Sequence, residues 1–144
     1  MRSAARTQQL DAADIDEVLR RTRAGYHRAV AAMAQAGNDI VMDYVLSEPW
    51  RLDDVIEVMT GIDVIFVGVH CSIEELRRRE RVRRDRLAGT AEAQARMVHV
   101  GREYDIEVDT STDTPEVCCA RIRDFLKRNP SGPARAFDRL RTRP

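Results

Sequence analysis

The sequence predicts an α/β fold with a mainly parallel sheet flanked by helices. Two observations carry this expectation. Apolar segments at 39–45, 63–69 and 104–109 have strand character, and segments with helical periodicity separate them. The middle one, Asp63-Val64-Ile65-Phe66-Val67-Gly68-Val69, is rich in β-branched residues and has no polar alternation after Asp63. That pattern suits a parallel strand buried on both faces.

The elements follow in order. Asp11 can cap a helix, and Asp14, Asp16 and Glu17 suit its positive end. Ile15, Val18, Leu19, Thr22, Tyr26, Ala29, Val30 and Met33 then recur at steps of three and four, one face of a long helix that ends before Gly37. Gly37-Asn38 is a turn signal, and the run to Leu46 is a short buried strand interrupted by Asp43. Ser47-Glu48-Pro49 leads into a helix over about 50–60 with a stripe of Leu52, Val55, Ile56 and Met59. Gly61 ends it, and the strand at 63–69 follows. Ser72 and Glu75 form a capping box for a helix over about 73–83, and a second short helix covers about 91–99. Tyr104–Asp109 is the third strand. Thr114-Pro115-Glu116 starts a last helix whose inner face is Cys118, Ile122, Phe125 and Leu126. Residues 1–10 are a flexible start, and 129–144 are a flexible tail rich in Arg and Pro.

Composition excludes several classes. Lys+Arg and Asp+Glu are both 24 in 144 residues, which speaks against a general nucleic-acid binder. The bases are almost all arginine, Lys127 being the only lysine, and arginine suits bidentate contacts to phosphate or carboxylate. Cys71, Cys118 and Cys119 have neither disulfide nor metal-ligand spacing; Cys118 and Cys119 suit packing on a helix face. The longest apolar run, Val64–Val69, is far too short to span a bilayer, and no signal peptide is visible, so the expectation is a reduced cytoplasmic protein.

Two features point to chemistry. Asp43 lies near the end of its strand, and open α/β sheets bind ligands at the carboxyl edge. A carboxylate there can hold Mg²⁺ through water or position a substrate hydroxyl; it can also simply cap a helix or close a turn. The second feature is the run Arg77, Arg78, Arg79, Arg81, Arg83, Arg84 and Arg86. On a helix Arg77, Arg81 and Arg84 share one side, and Arg79, Arg83 and Arg86 another. One side can meet a polyanion such as a transferring phosphoryl group, whose charge is spread over its oxygens. The plain alternative is a solvated helix with Glu74, Glu75 and Glu80 as internal partners.

Several stretches taken together resemble the chloramphenicol phosphotransferase-like family of P-loop kinases. They are Gly25-Tyr26-His27-Arg28-Ala29-Val30, Gly37-Asn38-Asp39-Ile40-Val41-Met42-Asp43 and Phe66-Val67-Gly68-Val69-His70-Cys71. Arg79-Glu80-Arg81, Arg84-Asp85-Arg86 with Gly89, Val98-His99 and Tyr104 to Ser111 complete the set. The resemblance runs from about residue 20 to 126. It implies ATP and Mg²⁺ as co-substrates and phosphorylation of a hydroxyl on a small molecule. It places Asp43 near metal and phosphates, the metal held indirectly through water, and Arg81, Arg84 and Arg86 in a lid that binds ATP. His99 matches a family position with no assigned role.

The family begins with a strand, a Gly-rich phosphate loop ending in Lys-Ser/Thr, and a helix. Residues 1–144 contain no G-x-x-x-x-G-K-[ST]. The expectation is therefore a truncated kinase-like domain over 11–128 that lacks this unit and is inactive as it stands. A second reading is a non-catalytic remnant that binds a nucleotide or a protein partner. In the family the absent strand lies between those matching 39–45 and 63–69. Without it, these two strands should pair directly or drive homo-oligomerisation through open edges.

Overall fold

The structure, a computed structural model, describes residues 12–83, 89–130 and 135–142. It divides into two compact units at Met42. The first contains α1 (Ala12–Gln35), the long helix expected from periodicity. Its end is closed by glycine chemistry. Gly37 has φ +90°, its N–H donates to Ala34 O, and the Asn38 N–H reaches back to Met33 O. This paired bonding satisfies two carbonyls that the helix leaves open, and the left-handed backbone it needs suits glycine.

The second unit holds the sheet. In chain order it contains α2 (Pro49–Val58), β1 (Val67–His70), α3 (Ile73–Val82), α4 (Thr90–Val98), β2 (Ile106–Asp109), α5 (Pro115–Arg128) and α6 (Ala136–Arg141). Strands β1 and β2 pair in parallel, Val67 opposite Ile106 and His70 opposite Asp109. The fold is thus mixed α/β with a small two-stranded parallel sheet among the described residues.

Three expectations change. Residues 38–47 form no regular element, so the strand expected at 39–45, and its direct pairing with 63–69, do not occur. A strand exists only where a neighbour takes its backbone bonds. Here two guanidinium groups take that place: Arg51 donates to Val45 O at 3.0 Å and Arg102 to Leu46 O at 3.1 Å. Second, β1 is shorter than 63–69 and among the described residues pairs along one edge only, and Val69 is 54% exposed, so this strand is not covered on both faces. Third, Cys118 on α5 is buried as expected, but Cys119 next to it is exposed.

The core follows the expected stripe of α2: Leu52, Val55, Ile56 and Met59 are all buried. Helix α6 packs against α2. It lies in the stretch read from composition as a tail. Phe137 and Ala136 are buried, and the Phe137 ring meets Phe66 edge-on at 5.1 Å. Buried Arg135 forms two bonds to the Asp63 carboxylate, at 2.7 and 3.3 Å, and a third to Asn129 O. This pairing with Asp63 raises the Arg135 pKa.

Asp105 joins these parts. Its backbone N–H donates to Phe66 O, and its Oδ2 accepts the Phe66 N–H at 2.8 Å. Oδ1 accepts the Ala136 N–H at 2.8 Å, at the start of α6. With its side chain 5% exposed, one carboxylate thus holds the entrances of both strands and the last helix. We expect Asp105→Ala to destabilise the chain by about 3 kcal/mol, because two N–H donors, one part-buried and one on a buried residue, lose their acceptor. Urea unfolding monitored by circular dichroism measures this; a change below about 1 kcal/mol would show that water replaces the carboxylate.

Candidate functional site

The carboxyl ends of β1 and β2 meet at a bonded junction. Thr110 donates both its N–H and its hydroxyl to His70 O, at 2.9 and 3.0 Å. Ser72 N–H donates to Ser111 Oγ at 2.6 Å, and Ser111 N–H to Asp109 Oδ1 at 2.7 Å. The Ser111 bonds hold the Asp109 carboxyl below its ordinary range. Ser72 caps α3 by accepting the Glu75 N–H. The return bond of a capping box is absent: Ser111 takes the Ser72 N–H, and the Glu75 carboxylate turns to arginine.

Beside this junction is a shallow cleft of about 260 Å³ lined by Ser72, Glu74, Glu75, Arg78, Arg81 and Ser111. It sits where both strands end, the position at which open α/β sheets take ligands. Its floor is the amino end of α3, where backbone dipoles favour negative charge.

The arginine run is divided by the carboxylates within reach. Arg77 makes a two-pronged bond to Glu92 on α4, at 2.7 and 2.9 Å, and Arg96 joins the same carboxylate. Arg78 pairs with Glu75. Arg79 is a structural pin, bonded to Glu75 and also to Thr110 Oγ1 and O at the end of β2. Glu80 accepts the backbone N–H groups of Gly89 and Ala91 and so caps α4 from α3. Arg81 lines the cleft and makes no ion pair with another described residue. The sides expected from helical spacing therefore do not sort these residues, since Arg77 and Arg81 share a side and differ in use. Arg84 and Arg86 lie outside the described residues. Asp43 is exposed on the irregular 38–47 segment and is not among the residues lining the cleft. Among the described residues, no group of three or more His, Cys, Asp or Glu is placed to hold a metal.

A second cluster lies on the sheet face of Gly68, His70 and Glu107. His70 Nε2 is 2.6 Å from Glu107 Oε2, and its ring stacks on His99 with centroids 4.0 Å apart. His99 Nδ1 is 2.8 Å from the Tyr104 hydroxyl. The Tyr104 ring lies so close over Gly68 that a Cβ there would meet it at 2.7 Å, which explains a glycine inside a strand. Nothing in the sequence pattern assigns His70 or His99 to this cluster. The signal that was present is the i, i+5 spacing of His99 and Tyr104 across a turn.

Comparison with known proteins gives a family. The sequence profile of chloramphenicol phosphotransferase-like proteins matches residues 2–127. Two Mycobacterium tuberculosis proteins, from strains CDC 1551 and H37Rv, bear the name "Putative O-phosphotransferase"; each is 35% identical over 117 residues. The alignment covers 81% of this chain and 51% of each of those proteins, so the chain spans about half the length of these curated relatives.

The α3–α4 pairing has a pH signature. Arginine bonds lower the pKa of Glu75 and of Glu92 to about 2, from an ordinary 4.5. Depressed carboxylates stabilise the fold above their unfolded pKa, and that contribution is lost as pH falls through the folded value. The hairpin should therefore keep its pairing above pH 4.5 and lose it between pH 4.5 and about 2. Carboxyl-carbon NMR should place the Glu92 midpoint near the low end, and Arg77→Ala should move it toward 4.5. An ordinary midpoint in the unmutated chain would refute the pairing.

Proposed function

The chain belongs to the chloramphenicol phosphotransferase-like family, and on that premise we propose that it is part of an ATP- and Mg²⁺-dependent O-phosphotransferase acting on a hydroxyl of a small molecule. The observation that carries the reading is Arg81, a guanidinium without a carboxylate partner among the described residues, over a cleft at the carboxyl ends of two parallel strands. The cleft chemistry suits a phosphate: Ser72 offers a hydroxyl hydrogen and α3 offers its positive end. Glu74 and Glu75 also line it, and the arginines paired with Glu75 offset that charge.

Bound ATP would supply the phosphoryl group that the acceptor hydroxyl receives. The chain's own residues hold and orient. Arg81, with Arg84 and Arg86 from the same run, would bind the phosphates and stabilise charge on them. Magnesium usually keeps several waters and takes one or two carboxylates besides phosphate oxygens. An exposed Asp43 fits that donor type and would hold the ion through water. Arg51 and Arg102 tether the segment just after Asp43 and so limit where its carboxylate can go.

Residues 1–144 contain no Gly-rich phosphate loop with Lys-Ser or Lys-Thr. Backbone N–H groups of such a loop and its lysine give P-loop enzymes much of their grip on the β- and γ-phosphates. The 144-residue chain alone should accordingly bind Mg·ATP weakly, with strong salt dependence, and should not turn over. Calorimetric titration at two salt concentrations, with a phosphoryl-transfer assay, measures both. Tight, salt-insensitive binding or measurable turnover would show that other residues here form the phosphate grip.

In an active form that includes such a loop, Arg84→Ala with Arg86→Ala should lower turnover far more than stability. Each lost contact costs about 2–4 kcal/mol of transition-state stabilisation. Unchanged turnover in the double variant would make the run a solvated helix face.

A further inference from the structure

The charges of α3 divide into those with partners and those without. Glu75 is shared by Arg78 and Arg79, Arg77 bonds Glu92, and Glu80 accepts the Gly89 and Ala91 N–H groups. Glu74 and Arg81 remain, of opposite sign, and neither makes a side-chain bond to another described residue. Both line the cleft at the carboxyl ends of β1 and β2. They lie on one face of α3, two turns and about 10 Å apart along its axis. Ion pairs on a helix form between residues three or four apart, so these two do not neutralise each other. Arg78 lies between them on that face, and its guanidinium is bonded to Glu75. The cleft thus has a negative end, with the Ser72 hydroxyl beside it, and a positive end.

We propose that the cleft takes a small ligand carrying both a phosphate and a protonated amine, the phosphate on Arg81 and the amine on Glu74. The inference rests on the phosphotransferase reading and narrows it. The ligand class is the phosphate ester of an amino sugar or amino alcohol, and the acceptor is the corresponding amine-bearing alcohol. Size favours this class. The cleft volume of about 260 Å³ lies below the roughly 300–1,000 Å³ of pockets that hold drug-sized ligands, so it suits a molecule of monosaccharide size rather than a whole nucleotide. Charge favours it too. Guanidinium with phosphate and ammonium with carboxylate are both charge-assisted pairs. Glu74 also discriminates, because an unpaired carboxylate opposes a second anionic group at its end of the cleft. A ligand with phosphate alone meets that opposition, and a ligand with an amine at the right distance relieves it.

The test is NMR titration of the full chain at about pH 7, where a phosphate monoester is mostly dianionic. The signals read are the Glu74 carboxyl carbon and the Arg81 Nε. The probes are glucosamine 6-phosphate and glucose 6-phosphate, which differ in the amine. Glucosamine 6-phosphate should bind about two- to fivefold more tightly, as one added ion pair open to solvent allows, and should move both signals. Glu74→Gln should remove the preference and tighten the binding of glucose 6-phosphate. Equal affinity for the two probes in the unmutated chain, or a preference that survives in Glu74→Gln, overturns the amine assignment and leaves the phosphate reading of Arg81 standing. If neither probe moves Arg81, the phosphate reading fails and this inference fails with it. The comparison of probes on the unmutated chain needs no variant to fold.

Discussion

Both strands and the last helix depend on the carboxylate of Asp105. The ladder of the two strands begins at Val67 and Ile106. Just before it, Asp105 makes one backbone and one side-chain bond to Phe66, and its second oxygen starts α6. The aromatic layer then closes over the same point, Phe66 lying 4.6 Å from the Tyr104 ring and 5.1 Å from Phe137. Tyr104 in turn bonds His99. A two-stranded sheet is marginal alone; here its open end is tied by a charged acceptor and covered by rings.

Much of the fold was legible because helices announce themselves locally. The period of α1, the stripe of α2, the Ser72 and Thr114 caps and Gly37 all act within a few residues, and all appear where expected. Strands were less legible because a strand is a property of pairs. Residues 39–45 have the composition of a strand but form none, as no described strand lies beside them to complete the ladder. Helix α6 was hidden for a related reason. Its Arg- and Pro-rich surroundings look like a tail, and only the distant partners Asp63, Asp105 and Phe66 make Arg135, Ala136 and Phe137 part of the core.

The site was legible as chemistry but not as geometry. The excess of arginine at 77–86 was plain, yet which arginine serves which end depends on Glu92, fifteen residues from Arg77, and on Thr110, thirty-one from Arg79. Asp43 was placed by its expected strand, and its position changed with that strand. The stacked histidines come together only through the fold, from β1 and from the end of α4.

The carboxylates of α3 are put to different uses: Glu74 lines the cleft with Arg81, while Glu75 and Glu80 are bonded within the hairpin. On composition Glu74, Glu75 and Glu80 are available to neutralise the arginines of α3. Glu75 is shared by Arg78 and Arg79. Glu80 instead faces the Gly89 and Ala91 N–H groups, and these lower its pKa. A carboxylate that caps the next helix is not available to an arginine one turn away on α3. Glu92, on that capped helix, is then held where Arg77 can reach it. The bonds that order the α3–α4 hairpin thus use Glu80 and Glu92, and Arg81, without an ion pair among the described residues, lines the cleft at the carboxyl edge of the sheet, where an anion would meet it.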